Sequence, residues 1–334
     1  MGIPVRQNLR VTRHLVGEGI RRHDKYPLVV ELEPLFACNL HCAGCGKTEH
    51  PPEILSRRMS VQQAIDGLLE CGAPLVSIAG GEPLMHSEIG EIVEAVIDSG
   101  MSVYLCTNGV MLKEKLDLFQ PSPHFAWVVH LDGLGELHDM AVGKAGVFKR
   151  AVAGIAEAKT RGFRVTTNST FFNTDTSQTV IDLLDFLYLD LGVDAVMVSP
   201  AYAQGGAADQ NHFPVVTETQ RLFREVLGQG RRRRWRFNHS SLYLDFLTGA
   251  IDLPCSPWAI PSFSVLGWQR PCYLLADGYA DSYRELVEGT NWTKYGRGRD
   301  PRCANCMAHC GYEPSAVRAM LRSPVLGLRS YLRR

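Results

Sequence analysis

The amino-acid sequence predicts an α/β protein, a partial (β/α)6 barrel followed by a cysteine-rich C-terminal cap. Between residues 27 and 200, short apolar runs typical of strands alternate with helical segments. Six such strands are too few for a closed eight-strand barrel, so we expect an open one. Ten cysteines, most of them in two close-spaced clusters, indicate metal binding in a reducing compartment and not a disulfide framework.

The strands and helices of the predicted barrel alternate in chain order. The six apolar runs are LVVELE, PLVSIAG, SVYLCTN, AWVVHLDG, FRVTTNSTFF and VDAVMVSP. The intervening helices are predicted over residues 61–71, 88–99, 112–119, 148–161 and 179–191. We therefore divide the chain into three parts, which are a basic amphipathic N-terminal helix (1–26), the barrel (27–200) and a C-terminal cysteine-rich domain (201–334).

Composition and charge exclude several classes of protein. Lysine plus arginine and aspartate plus glutamate number 35 each, so the overall charge gives no reason to expect a nucleic-acid partner. No apolar run reaches the about 18 residues of a membrane span, and the N-terminus is polar, which predicts a cytoplasmic protein. The basic stretches at residues 1–26 and 326–334 leave two interpretations open, solvated protein surface or peripheral contact with the inner face of a membrane.

Three cysteines directly after the first predicted strand form the most specific motif in the chain. Cys38, Cys42 and Cys45 are separated by three and two residues. They follow the carboxyl end of a strand, which is where parallel β/α folds build their sites. Three thiolates bind three irons of a [4Fe–4S] cubane and leave the fourth iron open. The alternative is a structural zinc site, with His41 or His50 as the fourth ligand.

Polar residues follow the next four strands at the same expected edge of the sheet. They are Gly80, Gly81 and Glu82 after the second strand, Thr107 and Asn108 after the third, His130 and Asp132 on the fourth, and Thr167, Asn168 and Ser169 on the fifth. Together with the cysteine motif, these segments resemble the radical S-adenosylmethionine (SAM) superfamily over residues 28–200. The resemblance implies the partial barrel of that superfamily, with SAM bound beside a [4Fe–4S] cluster by the residues of the second to fourth strands. The three residues of the fifth strand are candidates for contacts to SAM or substrate, and the alternative is that they are only the polar end of a strand at the barrel opening.

Segments along nearly the whole chain resemble a narrower family, the adenosylhopane synthases of hopanoid biosynthesis. These segments are CNLHCAGCGK, VSIAGGEPL, VYLCTN, VVHLDGL, GFRVTTN, RRWRFNHS, GWQRPCYLL and CANCMAHCGYE. The resemblance implies a transferase that adds the 5′-deoxyadenosyl radical to the alkene of an apolar polycyclic hopene such as diploptene. It also implies a reductant of the flavodoxin or ferredoxin class.

The sequence departs from these families at three places. His130 stands where many relatives have serine, and residues 204–207 and 259–264 differ from the expected segments. The departures leave open a related radical SAM enzyme that acts on a different apolar substrate or specialised metabolite, by addition or by hydrogen abstraction. A non-enzymatic alternative is a binding protein held together by zinc.

Cys106 is a candidate catalytic residue because it directly precedes Thr107 on the third predicted strand. A buried cysteine often serves as a small apolar filler. The functional alternative follows from the chemistry of addition to an alkene, which leaves a carbon radical that must gain a hydrogen atom. A thiol S–H bond is weak enough to supply that atom.

The C-terminal cysteines repeat a metal-binding pattern. Cys303, Cys306 and Cys310 are close in sequence, and Cys272 is the expected fourth ligand. Cys255 is a substitute for Cys272, and His309 a competitor of Cys310. Four thiolates suit either an auxiliary [4Fe–4S] cluster or a structural zinc ion.

Overall fold

The computed structural model describes residues 5–323, apart from residues 22, 43, 203, 206, 208–210 and 234. Within them lie the strands β1 Val29–Glu33, β2 Leu75–Ile78, β3 Ser102–Thr107, β4 Phe125–His130, β5 Val165–Phe171, β6 Ala195–Pro200, β7 Ser262–Ser264, β8 Gly267–Arg270 and β9 Gly278–Ala280. The helices are α1 Val5–Ile20, α2 Pro52–Leu55, α3 Val61–Cys71, α4 Ile89–Asp98, α5 Leu112–Lys115, α6 Glu136–Ala141, α7 Val147–Thr160, α8 Ser177–Asp185, α9 Val216–Arg233, α10 Ser241–Leu247, α11 Tyr283–Gly289 and α12 His309–Arg322. The basic tail over residues 326–334 lies outside the described residues.

The strands form one sheet in the order β6-β5-β4-β3-β2-β1-β7-β8-β9. Strands β1 to β6 are parallel neighbours in chain order, with helices in the connections. This confirms the predicted α/β fold with a partial barrel. Three further strands beside β1 were not predicted from the sequence. Strand β7 pairs in parallel with β1, and β8 and β9 extend the sheet in antiparallel pairing.

Local signals fix the helix boundaries where they are strong. Helix α3 begins after Ser60, whose side chain accepts from the backbone of Gln63 while the Gln63 side chain accepts from the backbone of Ser60. This reciprocal capping satisfies backbone N–H groups that the first turn leaves unpaired. The helix ends at Gly72, which takes a left-handed conformation with φ of 70°. Cys71, at the end of α3, is buried in the core under the sheet and has a packing role.

Alternation along the strands separates two faces of the barrel. One face packs on the helices through branched and aromatic side chains, which include Val30, Leu32, Val76, Ile78, Val103, Leu105, Trp127 and Val129. The opposite face points into the barrel. There Tyr104, Ala126 and Val128 form a small buried cluster with Cys106 and Met197 at its edge. Cys106 is therefore an inward-facing residue of β3.

Helix α1 lies at the amino ends of the strands, which is the end of the barrel opposite the predicted site. Arg10 donates to the hydroxyl of Ser102 (3.3 Å), the first residue of β3, and the hydroxyl of Tyr104 donates to Gln7 (2.8 Å). The outer face of this helix carries an apolar stripe, whose members are Leu9, Val16 and Ile20, exposed by 65%, 55% and 77%. No helix among the described residues is both long and apolar enough to cross a bilayer.

Candidate active site

Cys38, Cys42 and Cys45 lie together on the loop that follows β1. Cys38 and Cys42 pack against the small apolar cluster of Leu40, Val110, Val142 and Val147. Burial, with smaller contributions from the neighbouring carboxylate of Glu82 and thiol of Cys45, raises the pKa of Cys38 to about 11. Burial also raises the pKa of Cys42, and both other cysteines of the motif add to that rise. The mutual effects show that the three thiols share one partly buried space.

The glycines after β2 bring that strand end against the cysteine loop. A Cβ atom at Gly80, where φ is +101°, lies 2.3 Å from the carbonyl oxygen of Leu35, and one at Gly81 lies 2.1 Å from that of Ala37. The N–H of Gly81 donates to Leu35 (3.0 Å) and that of Glu82 to Ala37 (2.9 Å). Only glycine permits this approach. The two glycines therefore contact the backbone that leads into the cysteine loop. This contact was not predicted from the sequence.

Glu82 connects the ends of β2 and β3 from a fully buried position. Its carboxylate accepts hydrogen bonds from the hydroxyl of Thr107 (2.8 Å), the backbone N–H of Asn108 (2.8 Å) and the backbone N–H of Leu84 (3.1 Å). Burial raises the pKa of Glu82 to about 7, against the opposing effect of these donors. The side-chain amide of Asn108 in turn lies 3.8 Å from the Cys38 sulfur. Glu82 and Thr107 thus position the site, and Asn108 reaches it directly.

His130 and Asp132, at the end of β4, form a close pair. His130 Nε2 lies 2.6 Å from Asp132 Oδ2. Burial alone lowers the pKa of His130, but the adjacent Asp132 reverses that effect and raises it above the ordinary value. The other oxygen of Asp132 accepts from the backbone N–H of Thr170 (2.7 Å). The departure from serine at position 130 therefore places an imidazole paired with a carboxylate, and not a hydroxyl, at this edge.

Asn168 is the residue of β5 that faces the same space. It pairs in register with His130, and its Oδ1 atom is buried without a hydrogen-bond partner among the described residues. Thr167 and Ser169 alternate to the other face of the strand, together with Val165 and Phe171 of the core. Of the three polar residues predicted on β5, the structure brings Asn168 to the site and turns the other two away from it.

The C-terminal cysteines line one cavity. The residues that line it are largely apolar and include all five C-terminal cysteines, which are Cys255, Cys272, Cys303, Cys306 and Cys310. The Cys255 sulfur lies 2.7 Å from where a Cβ atom on Gly311 would stand, so a glycine is required beside it. His309 is buried elsewhere, facing the His239 ring at 5.8 Å, and burial lowers its pKa to about 3. Cys272 and Cys255, the two alternatives for the ligand that would join Cys303, Cys306 and Cys310, therefore line the same cavity.

The two histidines near the first three cysteines contact other residues. Among the described residues, no three Cys, His, Asp or Glu side chains converge on one point as the ligands of one metal ion do. His41 is exposed and lies 3.3 Å from the Thr48 hydroxyl, and His50 stacks on Phe36 at 4.7 Å. These contacts do not favour either histidine as a zinc ligand beside the first three cysteines. A cubane has a different requirement, since each thiolate binds its own iron.

A short segment joins the two cysteine groups. The Gln204 N–H donates to the carbonyl of Gly44 (3.1 Å), and its side-chain oxygen accepts from the N–H of Gly46 (3.2 Å). The next residue, Gly205, donates to the carbonyl of Leu274 (2.8 Å), two residues after Cys272. Residues 204–207 stood out in the sequence only as a departure, and the structure shows that Gln204 and Gly205 connect the two loops.

A buried ion pair near the site was also not predicted from the sequence. Lys47 Nζ lies 2.9 Å from the carboxylate of Glu33, and both side chains are almost fully buried. The same ammonium lies over the rings of Phe36 (4.9 Å) and Tyr273 (4.6 Å). The sequence does contain an indication of this pair, because Glu31 and Glu33 lie in an otherwise apolar strand and a buried carboxylate requires a partner.

Comparison with protein families divides the chain into two parts. Residues 32–187 match the model of the Radical SAM superfamily. Residues 196–329 match a family described as a domain of unknown function, DUF3463.

Curated proteins match less than half of this chain. The AdoMet-dependent heme synthase of Methanosarcina barkeri is 30% identical over 43% of this chain and 42% of its own length. The GTP 3′,8-cyclase 1 of Mycobacterium tuberculosis is 28% identical over 47% of each chain. This chain thus spans less than half the length of these relatives.

A solved structure shares the fold over most of the chain. Streptococcus suis SuiB bound to the precursor peptide SuiA is 15% identical, with a TM-score of 0.68 over 93% of this chain and 76% of that one. SuiB bound to S-adenosylmethionine gives a TM-score of 0.65 at 16% identity, over 93% of this chain and 78% of that one.

The residues present fit the cofactors that the matched superfamily implies, a [4Fe–4S] cluster and SAM. Three thiols are gathered on one loop, the donor set that a cluster with one open iron requires. The oxygen of Asn168, buried and without a partner among the described residues, faces the same space and is available to accept a hydrogen bond from a polar ligand. The prediction of these cofactors is confirmed.

Proposed function

We propose that this chain, whose residues 32–187 belong to the radical SAM superfamily, is an adenosyltransferase that acts on the alkene of a hopene such as diploptene. When bound, the cluster and SAM supply the 5′-deoxyadenosyl radical, and the protein supplies orientation and exclusion of water. The observation that carries the proposal is the position of Cys106. Its thiol faces the barrel interior within an apolar cluster, one residue before the Thr107–Asn108 segment of the site.

The surroundings of Cys106 keep its thiol protonated. Burial raises the pKa of this thiol to about 12, with smaller contributions from the charges of Glu31 and Glu82. A neutral S–H group is the form that donates a hydrogen atom to a carbon radical. Ala126, Val128 and Met197 supply apolar walls beside it, which suit an apolar alkene.

We expect Cys106→Ala to leave SAM cleavage intact and to prevent formation of the saturated adenosyl adduct. The variant lacks the hydrogen donor, so the carbon radical formed by addition is diverted to other products. Methionine release measures the first step, and mass spectrometry of the lipid product measures the second. Cys71→Ala, which removes a buried thiol under the sheet, is the matched control. A normal yield of saturated adduct from Cys106→Ala overturns the assignment.

Hydrogen abstraction is the second candidate function. The chain shares the fold of SuiB, whose solved complex contains a precursor peptide, so the fold itself does not favour addition. The products separate the two reactions. Free 5′-deoxyadenosine as the stoichiometric product indicates abstraction, and a covalent adenosyl adduct indicates addition.

We also propose an auxiliary iron–sulfur cluster in the C-terminal cavity. Five thiols surround one largely apolar space, and four thiolates are the ligand set of a [4Fe–4S] cluster. Cys272, Cys303, Cys306 and Cys310 are the proposed ligands. Cys255 lies on the same wall and is the alternative fourth thiolate.

The compartment we propose is the cytoplasm, with peripheral contact to a membrane. All ten cysteines are unpaired thiols in the structure, as a reducing compartment requires. Helix α1 carries its apolar stripe outward, while polar Gln7, Arg10 and His14 face the protein. Exposed Arg13 lies beside the stripe and complements anionic headgroups. The occupant we propose for this face is therefore an anionic lipid surface.

We expect the triple variant Leu9→Ser, Val16→Ser, Ile20→Ser to lose co-sedimentation with vesicles that contain anionic lipid. The wild-type protein should bind in a salt-sensitive manner, because both apolar contact and arginine contribute. The control is Leu118→Ser, since that residue is also half-exposed but lies in another part of the chain, between α5 and β4. Equal binding by the triple variant and the wild type, or dimerisation of the wild type through α1 without lipid binding, contradicts the proposal.

A further inference from the structure

Three polar side chains lie in a row across the inner face of β1, β2 and β3. Glu31 pairs in register with Ser77, and Ser77 pairs with Tyr104, two residues before Cys106. Paired residues of parallel strands point to the same face, and neighbouring strands lie about 4.8 Å apart. The Ser77 hydroxyl is 3.5 Å from the Cys106 sulfur. The row therefore begins at the proposed hydrogen donor and ends at a carboxyl group.

The proposed reaction leaves Cys106 in need of repair. Transfer of a hydrogen atom to the carbon radical forms a C–H bond, breaks the S–H bond and leaves a sulfur-centred radical. One electron from a reductant of the flavodoxin or ferredoxin class converts that radical to a thiolate. One proton then restores the thiol. The electron has an external source, and the proton requires a donor inside the barrel.

We propose that Glu31 returns this proton to Cys106 through the hydroxyl of Ser77. The carboxyl gives its proton to the Ser77 oxygen as the Ser77 hydroxyl gives its own to the thiolate, and Glu31 is then protonated again from water. This inference rests on the proposed role of Cys106. It assigns Glu31 and Ser77, which neither the sequence analysis nor the family resemblance identified, as residues that regenerate the donor.

The charges around the row support this direction of transfer. Burial and, to a smaller extent, the neighbouring Glu33 raise the pKa of Glu31 to about 8 against the opposing effect of Lys47, so the carboxyl holds its proton at neutral pH. A thiolate at Cys106 is a stronger base, since burial raises the pKa of that thiol to about 12. The proton therefore moves from the weaker base to the stronger one.

Four other ionisable groups interact with Glu31. Glu33 lies on the same strand, and Lys47 on the cysteine loop opposes the effect of Glu33. Tyr273, before β9, and Cys310, in the first turn of α12, both experience the charge of Glu31. Lys47 is already paired with Glu33 at 2.9 Å. Glu31 is thus the carboxyl of this group that is poised to exchange a proton.

The first test needs neither substrate nor SAM. The rate at which iodoacetamide alkylates Cys106 is followed against pH by mass spectrometry of the peptide that contains it. In the wild type we expect an inflection near pH 8, where ionisation of Glu31 suppresses the thiolate on the order of tenfold. Glu31→Gln should remove this inflection. Asp175→Asn, which removes another carboxyl whose pKa burial raises to about 6, should keep it.

The second test follows turnover with diploptene and SAM. Glu31→Gln and Ser77→Ala should each give a normal yield of adduct in the first turnover and lower the steady-state rate on the order of tenfold. An alkylation profile of Glu31→Gln that superimposes on the wild type overturns the relay, whatever the turnover result. If the wild type forms no adduct in a single turnover while the alkylation inflection is present, the proposed function fails and the proton coupling stands.

Discussion

Replacing Cys42 with alanine is expected to abolish SAM cleavage and to leave the iron–sulfur cluster proposed for the C-terminal cavity in place. Cys42 is one of three thiols that share the space after β1, and two thiolates do not hold a cubane with one open iron. The two cysteine groups lie on separate loops, β1 to α2 and β8 to α12, so each should load by itself. Methionine release under anaerobic reduction and iron content per chain are the measurements.

The reciprocal variant makes this test sharper. Cys306→Ala should lose the C-terminal iron and retain that of the first site, so each variant keeps about four of about eight irons. Cys71→Ala controls for loss of a buried thiol that is not a ligand. Zinc in place of iron in the Cys42→Ala protein contradicts an auxiliary iron–sulfur cluster. Unchanged SAM cleavage by Cys42→Ala contradicts the radical SAM site itself.

Gly81→Ala is expected to destabilise the fold around the cysteine loop by about 1–3 kcal/mol, the range for overpacking a close contact. The new Cβ atom would stand 2.1 Å from the carbonyl oxygen of Ala37 and 2.5 Å from that of Phe36. Both are backbone atoms, so neither can rotate away as a flexible side chain would. The expected results are a lower midpoint of urea unfolding and a lower iron content after reconstitution.

The matched control is Gly228→Ala in helix α9. This glycine is exposed, and nothing lies within 4 Å of an added Cβ. Alanine should stabilise the helix by up to about 1 kcal/mol, because it restricts the unfolded chain and favours helical backbone. Equal midpoints for Gly81→Ala and the wild type are incompatible with the close approach of β2 to the cysteine loop.

Local patterns in the sequence were sufficient to predict the barrel. The helix over residues 61–71 matches its observed bounds because the Ser60 capping signal and the apolar spacing agree. The cysteine loop and the ends of the next strands were also predictable, since parallel strands bring their carboxyl ends to one edge. The division at residues 26 and 200 stays a prediction, and β7 to β9 join the sheet from beyond it.

The remaining features depend on contacts between distant parts of the chain. The pairing of Glu31 with Ser77 is set by strand register, which one residue of slippage would reverse. The Lys47–Glu33 pair and the junction at Gln204 and Gly205 arise only when loops meet in three dimensions. The alternation of β5 likewise separates Asn168 from its two polar neighbours, which adjacency in sequence does not show.

Helix α1 has a consequence for how an apolar substrate arrives. It contacts Ser102 and Tyr104 at the amino ends of the strands, whereas Cys38, Glu82 and Asn108 lie at the carboxyl ends. A bilayer that rests on the outer stripe of α1, as proposed, therefore lies at the amino ends of the strands. The carboxyl ends, where the candidate site lies, point away from that bilayer. Under the proposed function, a hopene held in that bilayer must leave the lipid before it reaches Cys106, so its delivery calls for a carrier or a lateral apolar passage.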